Sequence, residues 1–357
     1  MTITKLSADD IESLCVGATL LGTGGGGDPY IAKLVARQAL EKHGPVDVIT
    51  AADLPPDARV LTIAIIGAPT VILEKIPAGT EFVTAVEALS SYLGEPPAAI
   101  MPIEVGGLNT LLPIATAAEM GLPVLNADGM RRAFPQIEMT VFTLAGIPAG
   151  PMSVADEKGN LCVFETTSNQ MAETLARTAV IQLGLANAIS CYPMTAGQVA
   201  EHAIADSMTY CRDVGMMLEA VQRNEEGAWD RFLGETGSHR FFEGKVVDLD
   251  RRTTDGFARS TLVLHDLHGS DQVMRIEVQN ENLIAYVDDV PTITTPNLIC
   301  LLDHETYEPL TTEAIAYGNR CHVIGMPCAP EWKRDGVLDL VGPSAFGYDV
   351  DYVEMPS

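Results

Sequence analysis

Basic residues are scarce in this chain. Lys and Arg number 22 against 48 Asp and Glu, a formal net charge of −26 at pH 7. Nucleic acid and anionic membrane both need positive protein surface, so neither is an expected partner. No apolar run is long enough to cross a bilayer. The best, Val60 to Leu73, is interrupted by Gly67 and Pro69 and reads as a buried strand plus loop. The seven cysteines, an odd number, follow no framework spacing, and Met1-Thr2-Ile3-Thr4-Lys5 carries no secretory pattern. Free thiols in a cytoplasmic protein are the expectation. No Gly-x-Ser-x-Gly elbow is present.

What is present is glycine in one place: Gly22-Thr23-Gly24-Gly25-Gly26-Gly27-Asp28-Pro29. Backbone without side chains lets a ligand or another segment approach the main-chain N–H groups closely. Ser7 and Asp10 form a capping-box start, and Ile11, Leu14, Cys15, Ala18 and Leu21 fall at helical spacing. Asp28 can cap, and Pro29 can open, a second helix through about Leu40. The order helix, glycine loop, helix excludes a dinucleotide fingerprint, which follows a strand. The missing Lys excludes a Walker loop. Asp28 places negative charge where a phosphate would sit, so no nucleotide is expected. A neutral polar ligand, a cation or an acid–base role for Asp28 fits better.

The 357 residues, 47% of them hydrophobic, suffice for two folded domains. Strands are expected at 60–66, 98–103 and 123–126, with helices at 81–93 and 109–120, the latter stopped by Gly121. This is an α/β pattern with a parallel, helix-covered sheet. Further on, 139–144 reads as a strand and 152–155 with 161–165 as a hairpin. Residues 170–189 and 196–223 read as helices, the second opened by Thr195 and Gln198 as a capping box. From about Arg240 short strands dominate: 241–249, 257–265, 272–278, 283–287 and 298–302. The expected organisation is an α/β domain over 1–167 holding the site, then a helical bridge and a mostly-β domain over 168–357.

In open parallel sheets ligands bind beyond the carboxyl ends of the strands. Three loops are expected there: Gly67–Thr70, Glu104–Asn109 and Asn126–Arg132. Glu104, after an apolar strand and before Gly106-Gly107, could be a general base or a metal ligand, or only an anchor for those glycines. Asp128-Gly129 is also an ordinary turn signature. Arg132 could clamp a substrate carboxylate, while Arg131 reads as a surface ion-pair partner. Asp28, Glu104 and Asp128 could hold a catalytic metal. A structural zinc could draw on His265, His268, Cys300, His304, Cys321, His322 and Cys328, but the spacing matches no strong pattern, and buried free cysteines are preferred. A divalent metal such as zinc therefore stays open as a cofactor. Cys15, on an apolar helix stripe, is a poor nucleophile.

Several of these segments together resemble one family. They are Leu21 to Pro29, Glu104-x-Gly106-Gly107-x-Asn109, and Asn126-Ala127-Asp128-Gly129 with Arg132-Ala133-Phe134-Pro135. Phe242-x-Gly244-Lys245-Val246, Gln279-Asn280-Glu281-Asn282, Glu308-Pro309-Leu310 and Phe346-Gly347-Tyr348-Asp349 belong with them. They resemble the S-methyl thiohydantoin desulfurase family, which is similar to parts of hydantoinase/oxoprolinase proteins. One departure is Arg131, where the family pattern has Gly. The resemblance implies a hydrolase acting on a five-membered N-heterocycle, with water displacing methanethiol from an S-methyl thiohydantoin. It implies Glu104 or Asp128 as base and the Gly24, Gly25, Gly26 and Gly27 amides as oxyanion donors. Asn109 and Asn126 would pair with the ring and Arg132 with a carboxylate substituent. The alternative is a non-catalytic ligand-binding or assembly partner in a hydantoinase-like pathway. A homo-oligomer is expected on general grounds.

Overall fold

The chain is described as a computed structural model covering residues 2–67, 71, 77–254 and 257–356. Ala68, Pro69 and Thr70 of the first expected loop, and the Asp255-Gly256 turn, lie outside the described residues.

The capping box at Ser7 forms: the Asp10 carboxylate accepts from Ser7 N at 2.8 Å and from its hydroxyl at 2.7 Å. Helix α1 (Ile11–Leu21) follows and buries Leu14, Ala18 and Leu21. Helix α2 (Tyr30–His43) starts after the glycine loop. Strands β1 (Lys5–Leu6), β2 (Val46–Ile49), β3 (Arg59–Gly67), β4 (Ala99–Pro102) and β5 (Val124–Leu125) build half of the first sheet, with helices α3 (Thr80–Leu93) and α4 (Leu108–Met120) between them. β2–β5, β5–β4 and β4–β3 pair in parallel, as the alternating pattern predicts. Pro102 ends β4, where it removes no ladder bond that a longer strand would need. Gly121 closes α4 in the left-handed region.

The sheet is mixed rather than wholly parallel. Its order is β1-β2-β5-β4-β3-β9-β7-β8, with the hairpin β7 (Met152–Ala155) and β8 (Leu161–Phe164) at one edge. β9 (Ala186–Thr195) runs antiparallel to both β3 and β7. Residues 186–189 are therefore strand, not the end of a helix. Helix α6 (Asn169–Gln182) stops earlier, and Gly184 and Leu185 turn the chain back with φ of 91° and 69°. Residues 139–144 are not a strand either. Thr140 accepts a capping bond from Thr143 N, and Val141–Leu144 is a single helical turn, α5.

The capping box at Thr195 and Gln198 opens α7 (Ala196–His202). Asp206, at φ 59°, breaks the expected long helix before α8 (Ser207–Gln222). Between them β10 (Ile204–Ala205) pairs with β6 (Ala127–Asp128). α8 lies close against α1, because any Cβ on Gly17 or Gly215 would strike the facing backbone at Cys211 or Ser13. α9 (Ala228–Thr236) then leads into the second sheet.

That sheet is antiparallel throughout, in the order β15-β14-β13-β12-β11-β18-β16-β17. Its strands are β11 (His239–Thr254), β12 (Phe257–Asp266), β13 (Val273–Gln279), β14 (Glu281–Val287), β15 (Val290–Thr294), β16 (Leu298–Asp303), β17 (Pro309–Leu310) and β18 (Arg320–Met326). A short helix, α10 (Val337–Val341), follows. One apolar core joins α1, α8 and α9 to Leu298, Leu302, Ile324 and Met326 of this sheet. Each such side chain contributes about 1.5–3 kcal/mol of burial, so the two sheets are welded through the helices between them.

Candidate functional site

β4 delivers Glu104 into the interior, where the residue is only 5% exposed. Asn109, on the first turn of α4, donates from Nδ2 to Glu104 Oε1 at 2.6 Å. Phe134 N donates to Oε2 at 3.4 Å. Asn109 is itself fixed to β3: its Oδ1 accepts from Ile65 N at 2.7 Å and its Nδ2 reaches Ile65 O at 3.3 Å. Burial pushes the Glu104 carboxyl up to about 8, and the bonds from Asn109 and Phe134 only partly oppose that.

Glu104 lines a cavity of about 80 Å³. A single ordered water needs only ~10–15 Å³ of occupied volume, so the space can hold a small molecule and not just one solvent molecule. Ile65, Ile103, Leu108, Met130 and Ile189 supply apolar wall, and Gly26, Gly27, Asn109, Gln136, Asn280 and Glu281 supply polar wall. Arg177 is the cation among the described lining residues, ion-paired at 2.5 Å with Glu173 and donating to Pro135 O at 3.1 Å.

The structure brings together Glu104, Asn109, Gly26 and Gly27 and sets the other expected residues apart. Gly24 and Gly25 are packed, not open: Gly24 O accepts from Thr312 N at 2.7 Å and Gly25 N donates to Gly22 O at 2.8 Å. Gly106 and Gly107 are also structural. Gly107 N donates to Ala18 O, and Leu108 N to Gly26 O, which locks the glycine loop against the start of α4. Asp28 accepts from Tyr30 N at 2.8 Å, Pro29 rather than Asp28 takes the N-cap position of α2, and Asp28 is not on the cavity wall.

Asp128 is fully buried and its acceptors are used. Val105 N, Met130 N and Arg131 N donate to Oδ2 at 2.7, 3.1 and 2.6 Å, and Ser207 Oγ donates to Oδ1 at 2.6 Å. It staples the loop instead of facing a substrate. Asn126 is spent on α8, through Asp206 Oδ1 and Thr209 at 2.9–3.1 Å. Asn109 lines the cavity but spends both Nδ2 hydrogens on Glu104 and Ile65, which leaves one acceptor site on Oδ1.

Arg132 has no exposed surface. It donates to Pro296 O and Asn297 O at 2.6 and 3.0 Å and lies 4.1 Å from the Phe134 ring centroid. It is not on the wall of the cavity. Arg131 is not a surface ion pair: its guanidinium bonds Ala205 O and covers the Tyr210 ring. Its φ of 51° lies in the left-handed region, which explains why glycine suits the position.

Glu281 was not anticipated as a site residue. It begins β14, is 2% exposed, and its Oε2 has no hydrogen-bond partner among the described residues. Burial raises its carboxyl well above the usual range, and Glu104 raises it further, with Arg132 and the Gly26 amide opposing. The sequence did carry a signal. Gln279-Asn280-Glu281-Asn282 is a polar run in an otherwise apolar strand context, and Asn280 turns it with φ 57°.

One consequence concerns stability. Glu104 has a folded-state pKa above its unfolded value, so the folded protein holds a proton that the unfolded chain releases. Its contribution is intact below about 4.5 and is lost as pH rises towards about 8. The limiting slope is ~1.4 kcal/mol per pH unit. Urea denaturation at pH 5, 6, 7 and 8 should show a shallower decline for Glu104→Gln than for wild type. Parallel declines would refute the assignment.

Of the residues considered for zinc, the three cysteines and His265 lie apart, whereas His268, His304 and His322 all approach Glu243. Cys300 Sγ donates to Leu20 O, Cys321 is buried within the second sheet, Cys328 lies beside Arg132, and His265 is exposed on β12. Asp28, Glu104 and Asp128 do not converge as a ligand set among the described residues.

Two family profiles match end to end, the S-Me-THD-like N-terminal domain over residues 9–166 and the S-Me-THD-like C-terminal domain over 167–355. The chain belongs to the S-methyl thiohydantoin desulfurase family. A comparison with curated proteins finds no match. Among solved structures, the chain is similar to a protein from Chromobacterium violaceum determined by a structural genomics consortium. The TM-score is 0.77 at 22% identity, over 98% of this chain and 99% of that one. That likeness supports the fold. No helix among the described residues is long and apolar enough to cross a membrane.

Proposed function

We propose that this family member is a hydrolase that removes methanethiol from a small S-methyl thiohydantoin to give the hydantoin. The observation that carries the reading is Glu104, a buried carboxyl with a pKa near 8 on the wall of a small cavity. An acid–base group works best when its pKa lies near the working pH. Glu104 in its ionised form takes a proton from water as the oxygen bonds to the ring carbon bearing sulfur. It returns that proton to sulfur as the C–S bond breaks. The second water proton ends on the ring nitrogen, and the water oxygen becomes the new carbonyl.

Gly26 and Gly27 bring backbone to the same wall, and no hydrogen bond among the described residues uses the Gly27 N–H. A well-placed amide of this kind contributes about 3 kcal/mol to stabilising negative charge in a tetrahedral intermediate. Gln136 and Asn280 take over the ring-pairing role first given to Asn109 and Asn126. Arg177 replaces Arg132 as the group for an acidic substituent. The test is direct: incubate purified protein with S-methyl thiohydantoins and titrate free thiol with a chromogenic disulfide. Stoichiometric thiol and hydantoin are expected. A melting-temperature shift without thiol release would favour the binding-protein alternative.

A further inference from the structure

We propose that Glu243, His268, His304 and His322 form a binding site for one divalent transition metal of the zinc class, separate from the Glu104 cavity. Glu243 on β11 pairs directly with His322 on β18. His304 follows β16, whose last residue, Asp303, pairs with Cys321. His268 lies in the connection between β12 and β13. Four segments far apart in sequence thus meet at one end of the second sheet.

The donor atoms are already close. His322 Nδ1 is 3.2 Å from Glu243 Oε1, and His268 Nε2 is 2.5 Å from Oε2. His304 Nε2 is 3.9 Å from Oε2. Ligand atoms of Glu243, His304 and His322 all lie within 4.8 Å of one another. Around a tetrahedral zinc with bonds of ~2.0–2.2 Å, neighbouring ligand atoms stand about 3.3 Å apart. Glu243, His304 and His322 are the compact trio, and His268 reaches Glu243 from the exposed side; closing the site needs the more exposed His304 and His268 rings to reorient towards the metal. Three imidazoles with one carboxylate are a donor set that zinc-class ions favour over magnesium or calcium.

The ring of His322 is held ready. It is buried, its Nε2 has no hydrogen-bond partner among the described residues, and it stacks between Tyr307 at 4.9 Å and His304 at 4.7 Å. Arg240 also pairs with Glu243. It is half exposed, so a bound cation can displace it to solvent. The site is distinct from the cavity. The His268 connection precedes β13 and Asn280-Glu281 follow it, and a seven-residue strand spans roughly 20 Å.

The experiment uses full-length protein without a histidine tag, stripped with chelator and titrated with zinc by calorimetry. Binding of about one zinc per chain, at micromolar affinity or tighter, with a raised melting temperature, is expected. His268→Ala/His304→Ala should weaken binding at least ~10-fold, since loss of even a partner that only orients a ligand costs that much. Both positions are partly exposed, so this variant should fold without metal as wild type does. His322→Gln is the second arm and should also lose affinity. Absence of binding at tens of micromolar zinc, or wild-type affinity in the double variant, would overturn the proposal.

Discussion

Glu104→Gln is expected to cut turnover of an S-methyl thiohydantoin at least ~100-fold while leaving the protein folded. The magnitude is the lower end of what a positioned acid–base group supplies. Gln is nearly isosteric, and its Oε1 can still accept from Asn109 Nδ2, the 2.6 Å bond that fixes the side chain. It cannot carry a proton. In wild type the attacking step uses the ionised form, so kcat/KM should rise about tenfold per pH unit and level off near 8, where the Glu104 carboxyl titrates. The variant should lack that inflection. A Gln variant within threefold of wild type, or a wild-type profile flat between pH 6 and 9, would remove Glu104 from the chemistry. Asp128→Asn is the informative contrast. Asp128 receives three backbone N–H bonds on one oxygen, so its loss should lower stability instead of altering the pH profile.

Gly107→Ala is expected to destabilise the protein by about 2–6 kcal/mol. Gly107 has φ 62° and ψ −147°, a region essentially closed to residues with a Cβ and costing about 1–3 kcal/mol when forced. The added methyl would also fall 2.7 Å from Gly26 Cα and still closer to the Gly26 carbonyl. Backbone cannot swing aside as a side chain can, and such overpacking costs about 1–3 kcal/mol more. The damage should reach the cavity, because Gly26 O anchors Leu108 N and Gly27 lies on the wall. Urea denaturation at neutral pH measures the loss. A change under 1 kcal/mol would mean that the glycine loop yields easily and has no part in shaping the site.

The parallel half of the first sheet was legible because each element obeyed its own local rule: β-branched runs for β3, helical spacing for α1 and α4, Gly121 at a helix end. β9 was not. Ala186-Asn187-Ala188-Ile189 follows an alanine-rich helix with Gly184 as its one helix-breaking residue, so a helix-period reading runs on. The strand exists because β3 and β7 leave a slot between them, and that is tertiary information. The short α5 misled in the opposite direction, since Thr140-Val141-Phe142 has strand composition and only a single side-chain cap decides its form. Within the site, Glu104 could be found from its position after β4. Asp128, Asn126 and Arg132 share its strand-end edge, but topology places residues without orienting them. Each of the three turned to satisfy buried backbone or helix partners. Glu281 and the histidines on Glu243 depend on cross-strand register in the second sheet, which no local pattern encodes.

The glycine loop also sets a clock on biosynthesis. Thr23 exchanges hydrogen bonds with Ile299, 276 positions later in the chain. Gly24 waits for Thr312, and Thr23 O for Asn282. At ~5–20 residues per second on the ribosome, roughly 15 to 55 seconds separate the synthesis of the loop from that of its partners. During that interval residues 22–27 have no anchor from the second sheet, and Glu104 has no lid from Asn280 and Glu281. The cavity is thus one of the last parts of the molecule to become real. A truncated translation product would carry the carboxyl but not the chamber around it.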